Sequence, residues 1–343
     1  MAEYTRDVHC AAIQTARRDV DTVMHCRLVG ICAIVSAAQL GAQAISTVGA
    51  ERETRRDGWW RIAYDNDFFT ATDRYFTQGV VVEVVTPALG RLPTRRLLIA
   101  PRGSVSRFGL TYEDDGYTAS DLKASQILRN DHPYAGTRQL RAFSIATDAA
   151  KGQRVSSSLN LGIIGQGSGG AEVQTFIHRH TGNTIPQGWG NQIRNDLILN
   201  YEASMERRLL QRGSHLVLTG FGVARLGTYN TAATLGSTLM AGRLGEQFTD
   251  AVEQRREFFF YAKPQLNVVG YDATLQGGLF NRSSPYVISA DDLSRVVYRQ
   301  QIGVVYRSRR RSVEYYQTVG TREFRGGLAH RTGGIQFTMP LGK

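Results

Sequence analysis

The 343-residue chain contains three cysteines, and all of them, Cys10, Cys26 and Cys32, fall within its first 32 residues. Everything downstream lacks a thiol for nucleophilic attack, a thiolate metal site, a haem attachment or a disulfide, which removes several enzyme classes and suits an oxidising compartment. No stretch past residue 50 approaches the roughly 20 consecutive apolar residues of a spanning helix, so a bundle of transmembrane helices is excluded. Proline is scarce, with 8 residues against 36 glycines, and charged residues make up 21%, which excludes a proline-rich linker and a charged disordered tail. Lysine is nearly missing: of 41 basic residues only Lys123, Lys151, Lys263 and Lys343 are lysines. A GC-rich coding sequence produces the same arginine bias, so the bias alone indicates no partner. The net charge of +11 comes without a helix-turn-helix, RNA-binding or zinc-finger pattern. An anionic lipid surface is therefore the expected partner, and nucleic acid is not.

The N-terminal region reads as an address. Met24-His25-Cys26-Arg27 precedes an apolar run over residues 28–38, and Gly41-Ala42-Gln43-Ala44 follows. A short basic region, a hydrophobic run and a small-x-small ending make a secretory signal peptide, residues 1–44, with cleavage expected after Ala44. Residues 1–23 are polar, which suggests a translation start at Met24. The segment carries four arginines (Arg6, Arg17, Arg18, Arg27) and four acids (Glu3, Asp7, Asp19, Asp21), so its removal leaves the net charge unchanged.

Residues 45–343 read as one domain built of strands. Over residues 257–268 one parity carries Phe258, Phe260, Ala262, Leu266 and Val268, while the other carries Glu257, Tyr261, Lys263, Gln265 and Asn267. Side chains alternate across a strand, so one face is apolar and the other polar. The same alternation occurs over residues 78–84 and 155–163, more loosely over 195–209, 298–307 and 313–321, and again in 334–339. The apolar parity is ringed by Tyr, Phe and Trp, and the polar parity holds Glu, Arg, Asn and Gln suited to a wet interior. Together these predict an all-β fold, an antiparallel transmembrane β-barrel of about twelve strands. The chain ends Pro340-Leu341-Gly342-Lys343, without the terminal aromatic common in such barrels.

One region breaks the pattern. After the glycine-rich run 165–170, Val173, Phe176, Ile177 and His180 fall at i, i+3, i+4 and i+7, which predicts a short amphipathic helical insertion near residues 171–180. Gln174 and His178 share another face of that helix. Neither an HExxH pair, a Gly-x-Ser-x-Gly elbow nor a P-loop occurs. The acidic cluster Asp65-Asn66-Asp67 offers oxygen ligands for a hard cation such as Ca²⁺. Strand geometry puts Asp65 and Asp67 on one face and Asn66 on the other, so joint action of Asn66 and Asp67 requires the strand to bulge or end there. A turn of solvated carboxylates is the plainer reading of the same residues. A histidine beside a cation, oriented by an amide on its own helical face, would deprotonate water while the cation polarises an ester carbonyl.

Several motifs in series carry a more specific resemblance. Asp65-Asn66-Asp67-Phe68-Phe69, Thr72-Asp73-Arg74-Tyr75-Phe76-Thr77-Gln78-Gly79, Asp131-His132-Pro133-Tyr134-Ala135-Gly136, Gly162-Ile163-Ile164-Gly165, Gly170-Ala171-Glu172-Val173-Gln174, Ile177-His178-Arg179 and Gly188-Trp189-Gly190-Asn191-Gln192 together resemble the outer-membrane lipid A 3'-O-deacylases. The resemblance implies a twelve-stranded barrel in the Gram-negative outer membrane, a monomer acting on lipid A of lipopolysaccharide in the outer leaflet. It implies calcium-dependent hydrolysis that removes the 3'-linked acyloxyacyl chain. His178 corresponds to the family's general base, Asn66 and Asp67 to the pair near the calcium, and Thr77 to the threonine before the strand glycine. The implied mechanism is like that of secreted phospholipase A2, with histidine activating water and calcium holding the developing oxyanion. Gln174 on the helix, with Lys123 and Arg129 as phosphate contacts, completes the expected substrate side.

Two departures from the family pattern stand out. The glutamate expected six residues after the catalytic histidine is Thr184 here, so a supporting carboxylate would have to come from elsewhere, such as Glu172 or Asp73. The segment 109–116, read as a loop, is also unlike the usual pattern. A non-catalytic barrel of porin-like or structural type is the alternative reading, and a soluble periplasmic esterase is a third that the long two-faced strands disfavour.

Overall fold

The computed structural model describes residues 48–53, 58–70, 74–249 and 256–342. These all belong to one compact unit. The expected signal peptide, the Met24 start and the three cysteines lie outside the described residues, as does Asp73.

Twelve antiparallel strands close into a barrel: β1 (Trp59–Asn66), β2 (Tyr75–Val85), β3 (Val105–Thr118), β4 (Ala135–Asp148), β5 (Gln153–Ile164), β6 (Asp196–Arg212), β7 (Leu216–Gly227), β8 (Asn230–Arg243), β9 (Glu257–Asp272), β10 (Val296–Arg307), β11 (Ser312–Gly320) and β12 (His330–Pro340). Each strand pairs with its sequence neighbours, and β1 closes on β12 from Trp59↔Pro340 to Asn66↔Gly333, so no sheet edge is left unpaired. The alternation is realised as expected. In β9, Phe258, Phe260, Leu266 and Val268 are exposed on the outer wall while Glu257, Tyr261, Lys263, Gln265 and Asn267 are buried in the lumen. No helix among the described residues is long and apolar enough to cross a membrane, and the strands do the spanning.

The lumen holds a cavity of about 180 Å³ lined in part by charge pairs at facing or diagonal register positions. Arg61 of β1 sits opposite Glu83 of β2 and bonds it at 2.7 Å, and Arg225 of β7 sits opposite Glu202 of β6 at 2.6 Å. Arg141 of β4 reaches diagonally to Glu113 of β3 at 2.6 Å. Such pairs hold register because a one-residue slip would turn each charge toward lipid. The segment 109–116, expected as a loop, is the body of β3. Its acidic run misleads because the cations that answer it, Arg138 and Arg141, come from β4.

The two ends of the barrel differ. One end carries both chain ends of the barrel, the short turns 149–152, 213–215 and 308–311, and the longer connection 86–104. The other carries the long loops 119–134, 165–195 and 273–295. Short turns face the periplasm and longer loops the exterior in barrels of this kind, which sets the orientation. At the periplasmic end a short helix, α1 (Val48–Glu51), enters the lumen. Gly49 N–H donates to Glu314 at 2.9 Å, Lys263 pairs with Glu51 at 3.3 Å, and buried Arg52 bonds Glu206, which also holds Arg154 at 2.6 Å. Side chains of β6, β9 and β11 thus pin the N-terminal segment inside the wall, with Arg154 of β5 behind Glu206.

Candidate active site

The acidic cluster divides where β1 ends. Asp65 keeps strand geometry and faces the lumen, where it accepts the Tyr316 hydroxyl. Asn66 is the last strand residue, and Asp67 begins a 3₁₀ turn, Asp67–Thr70. The strand therefore ends at the point required for Asn66 and Asp67 to act together. Asn66 is held on both atoms of its amide: Nδ2 donates to the Tyr64 hydroxyl at 2.8 Å and to the Thr77 carbonyl, and Oδ1 accepts Phe68 N–H at 2.6 Å. Asp67 is fully buried and accepts the Arg74 N–H, which ties the start of the 3₁₀ turn to the residue before β2.

Opposite this wall lies α2 (Gly170–Thr181), matching the helix expected near 171–180. It starts against β4 at a close backbone approach: a Cβ on Gly136 would lie 3.2 Å from Gly170 Cα, and one on Gly170 would lie 3.0 Å from Gly136 Cα, so a larger residue at either position would push the helix outward. The helix docks by its polar stripe Gly170, Gln174 and His178, all buried, whereas Phe176 is 63% exposed and stacks on His180 at 4.2 Å. Amphipathic patterning would have buried Phe176 instead. The partner here is a polar wall, so the residues able to hydrogen-bond are the ones that turn inward.

Gln174 joins the two sides. Its Nε2 donates to Thr77 Oγ1 at 2.9 Å, and its Oε1 accepts from Trp189 Nε1 at 2.8 Å. Trp189 in turn packs edge-on against Tyr134, ring centres 5.2 Å apart. Asn66, Thr77, Gln174 and Trp189 thus form one hydrogen-bonded chain drawn from β1, β2, α2 and the turn Gly188–Asn191. Trp189 stood in a family motif without a role. No local signal gives it one, since its partner is fifteen residues away across a loop.

His178 lies one turn beyond Gln174 on the same stripe. Its Nδ1 is 2.6 Å from the backbone carbonyl of Thr184. A carbonyl can only accept, so Nδ1 carries the proton and Nε2 is the basic nitrogen. The approach is made by Gly182, whose left-handed backbone (φ 73°) ends the helix and turns the chain back over it. This answers the missing glutamate: the main chain at position 184 orients the ring. Glu172, offered as a substitute carboxylate, is exposed on α2 and off the docked stripe. Lys123 and Arg129 are exposed on the 119–134 loop, and among the described residues neither forms an ion pair with this group.

The loop that carries them is built by Asp131-His132-Pro133. Asp131 accepts from Ser120 N–H at 2.9 Å, Ser120 Oγ at 2.6 Å and His132 N–H at 2.8 Å. The His132 ring stacks on Tyr117 (5.4 Å, 11° between planes), lies 5.6 Å from Tyr75, and burial pushes its pKa down to about 4. Tyr75 holds a left-handed backbone (φ 64°), costly for an aromatic residue, with its ring between His132 and His330. That clamp fixes the strand start two residues before Thr77.

Asn66 Oδ1, the Asp67 carboxylate and Thr77 Oγ1 are oxygen donors of the kind that a hard divalent ion prefers. Among the described residues no group of three or more His, Cys, Asp or Glu is gathered to hold a metal. A cation here would rest on one carboxylate supplemented by amide, hydroxyl, carbonyl and water oxygens, which Ca²⁺ accepts with its six to eight ligands and Zn²⁺ does not.

The family model described as "Outer membrane protein LpxR" matches residues 28–341. Among solved structures, LpxR from Salmonella typhimurium superposes with a TM-score of 0.67 at 16% identity, covering 82% of this chain and 99% of that one. The β domain of the Bordetella autotransporter BrkA (11% identity, 83% and 99% coverage, TM-score 0.41) and the KdgM porin (5%, 83% and 99%, 0.37) are more distant. No curated protein matches by sequence.

Proposed function

The chain belongs to the LpxR outer membrane protein family, as a twelve-stranded barrel of the Gram-negative outer membrane, and from that premise we propose that it hydrolyses the 3'-O-linked acyloxyacyl ester of lipid A. The observation that carries the reading is the oriented histidine: His178 is buried, its Nδ1 proton is committed to the Thr184 carbonyl, and its stripe-mate Gln174 is bonded to Thr77 beside Asn66.

In the proposed reaction His178 Nε2 takes a proton from water as the oxygen attacks the acyl carbonyl carbon. The bond from that carbon to the sugar 3-oxygen then breaks, and the histidine returns its proton to the departing oxygen. The Thr184 carbonyl holds the imidazolium in one orientation while it exists. Gln174 fixes the Thr77 hydroxyl and, through Trp189, the height of α2 above the wall. Calcium held by Asn66 and Asp67 would supply positive charge to polarise the ester carbonyl. Exposed Phe176 on α2 would offer apolar contact to acyl chains, and Lys123 and Arg129, exposed on the same end of the barrel, would contact the lipid phosphates.

The test is mass spectrometry of lipid A from cells expressing the chain, with membranes incubated in calcium or in EDTA. Loss of one acyloxyacyl unit by the wild type, and its absence in a folded His178→Ala variant, is the expected result. An unchanged spectrum from a verified outer-membrane barrel favours the non-catalytic reading, and normal deacylation by His178→Ala moves the chemistry elsewhere.

A further inference from the structure

The first periplasmic connection, residues 86–104, is far longer than the turns at 149–152, 213–215 and 308–311. A hairpin needs two to five residues, so the excess calls for a use. The segment does not hang free. Ile99 N–H donates to Ser157 Oγ at 2.7 Å, Ser144 Oγ donates to the Ile99 carbonyl at 2.9 Å, and the Tyr201 hydroxyl donates to the Leu97 carbonyl at 2.9 Å. Ser144, Ser157 and Tyr201 occupy the outward parity of β4, β5 and β6, the parity of exposed Leu140, Leu161 and Leu199. The connection is therefore a strap laid across the lipid-facing wall, starting over Phe108 of β3, where Arg95 stacks at 5.7 Å.

Its chemistry is one-sided. No acidic residue occurs between Glu83 and Glu113, a stretch that contains Arg91, Arg95, Arg96, Arg102 and Arg107. Arg91, Arg95, Arg96 and Arg102 are exposed, and among the described residues none of these four forms an ion pair with a carboxylate. Leu97 and Ile99 are exposed beside them, 58% and 41%. The strap and the ends of β2 and β3 that it joins line a cleft of about 740 Å³, with Arg91, Arg95, Arg102 and Phe108 among its walls. A row of unpaired guanidinium groups next to exposed aliphatic side chains, at headgroup depth on the periplasmic side, is complementary to a lipid with an anionic head and two chains.

We propose that the 86–104 strap is a binding site for an anionic glycerophospholipid of the periplasmic leaflet, with the phosphate among Arg91, Arg95 and Arg102 and the chains along Leu97 and Ile99. The site is on the opposite leaflet from the candidate active site and stands whether or not the chain is a hydrolase.

The folded barrel, purified in detergent, is titrated with dioleoylphosphatidylglycerol or dioleoylphosphatidylcholine and read by native mass spectrometry. The wild type should retain phosphatidylglycerol over phosphatidylcholine by at least about tenfold, and the R91Q/R95Q/R102Q variant should lose that preference. The control R309Q/R310Q/R311Q, which removes three arginines from the 308–311 turn at the same end, should keep it. Heat-modifiable gel mobility verifies that each variant is folded, and Leu97→Ser with Ile99→Ser tests the apolar arm without touching charge. Equal retention of the two lipids, an unchanged R91Q/R95Q/R102Q variant, or equal losses in the two arginine triples would overturn the proposal. Displacement of the lipid by inorganic phosphate at equal concentration would make it a free-phosphate site and would overturn it too.

Discussion

Replacing Gln174 by leucine removes two hydrogen bonds at a side chain that bridges α2, the barrel wall and the 188–191 turn. Leucine nearly matches the glutamine in volume, so packing changes little and the loss is polar. Thr77 Oγ1 and Trp189 Nε1 are left without Gln174, and both residues are buried, 2% and 7% exposed. A buried polar group deprived of its partner costs about 1–3 kcal/mol, so the pair costs about 2–4 kcal/mol against the docked helix after partial rehydration. About 3 kcal/mol corresponds to roughly 150-fold in the docking equilibrium constant, and deacylation should fall by up to that order. Gln174→Glu keeps the acceptor for Trp189 and loses only the donor to Thr77, whose hydroxyl can rotate to donate instead. Its loss should be about tenfold or less. Initial rates on purified lipid A in detergent, read by mass spectrometry, give the order wild type, Glu, Leu. Limited proteolysis of the 165–195 loop supplies a second readout that follows docking and not chemistry. A leucine variant within about threefold of wild type, or one indistinguishable from the glutamate variant, would refute the bridging role.

Asp67→Ala, with EDTA and calcium add-back on the wild type as the parallel arm, should abolish activity or raise the calcium required by at least about tenfold while leaving heat-modifiable mobility intact; activity insensitive to both would remove the cation from the reaction. Arg52→Ala leaves Glu206 with Arg154 at 2.6 Å and Thr219 at 2.7 Å but removes one of the ties that hold α1 in the lumen, so the barrel should persist and planar-bilayer conductance should rise above that of the wild type; unchanged conductance would mean that the remaining ties to Glu314 and Lys263 suffice to hold α1. His132 provides a pH dependence. Its folded pKa of about 4 lies below the unfolded value of about 6.5, so its contribution is fully present above pH 6.5 and is lost as pH falls toward 4, amounting to about 3 kcal/mol. Protease sensitivity of the 119–134 loop should therefore rise over that interval, and His132→Phe should flatten the rise; an identical pH profile in the variant would assign it to other groups.

The sequence alone determined the wall. Away from the register shifts near Thr77, Leu209 and Thr231, a period of two separates lipid from lumen along the strands, and Phe258, Phe260 and Leu266 against Glu257, Lys263 and Gln265 could face only one way each. It also determined that Asn66 and Asp67 could work together only if β1 stopped between them, because consecutive strand residues point apart. The helix near 171–180 was legible from its period, but which stripe docked was not, since that depends on whether the opposing surface is polar or apolar. The acids of β3 looked like a loop because their counter-charges sit on another strand. The orienting group of His178 was invisible for a simpler reason: it is a main-chain carbonyl, present at every residue, and only the turn at Gly182 brings the one at Thr184 to the ring. Local periodicity fixes what a residue faces, whereas which distant groups meet is settled by closure of the barrel and the path of its loops.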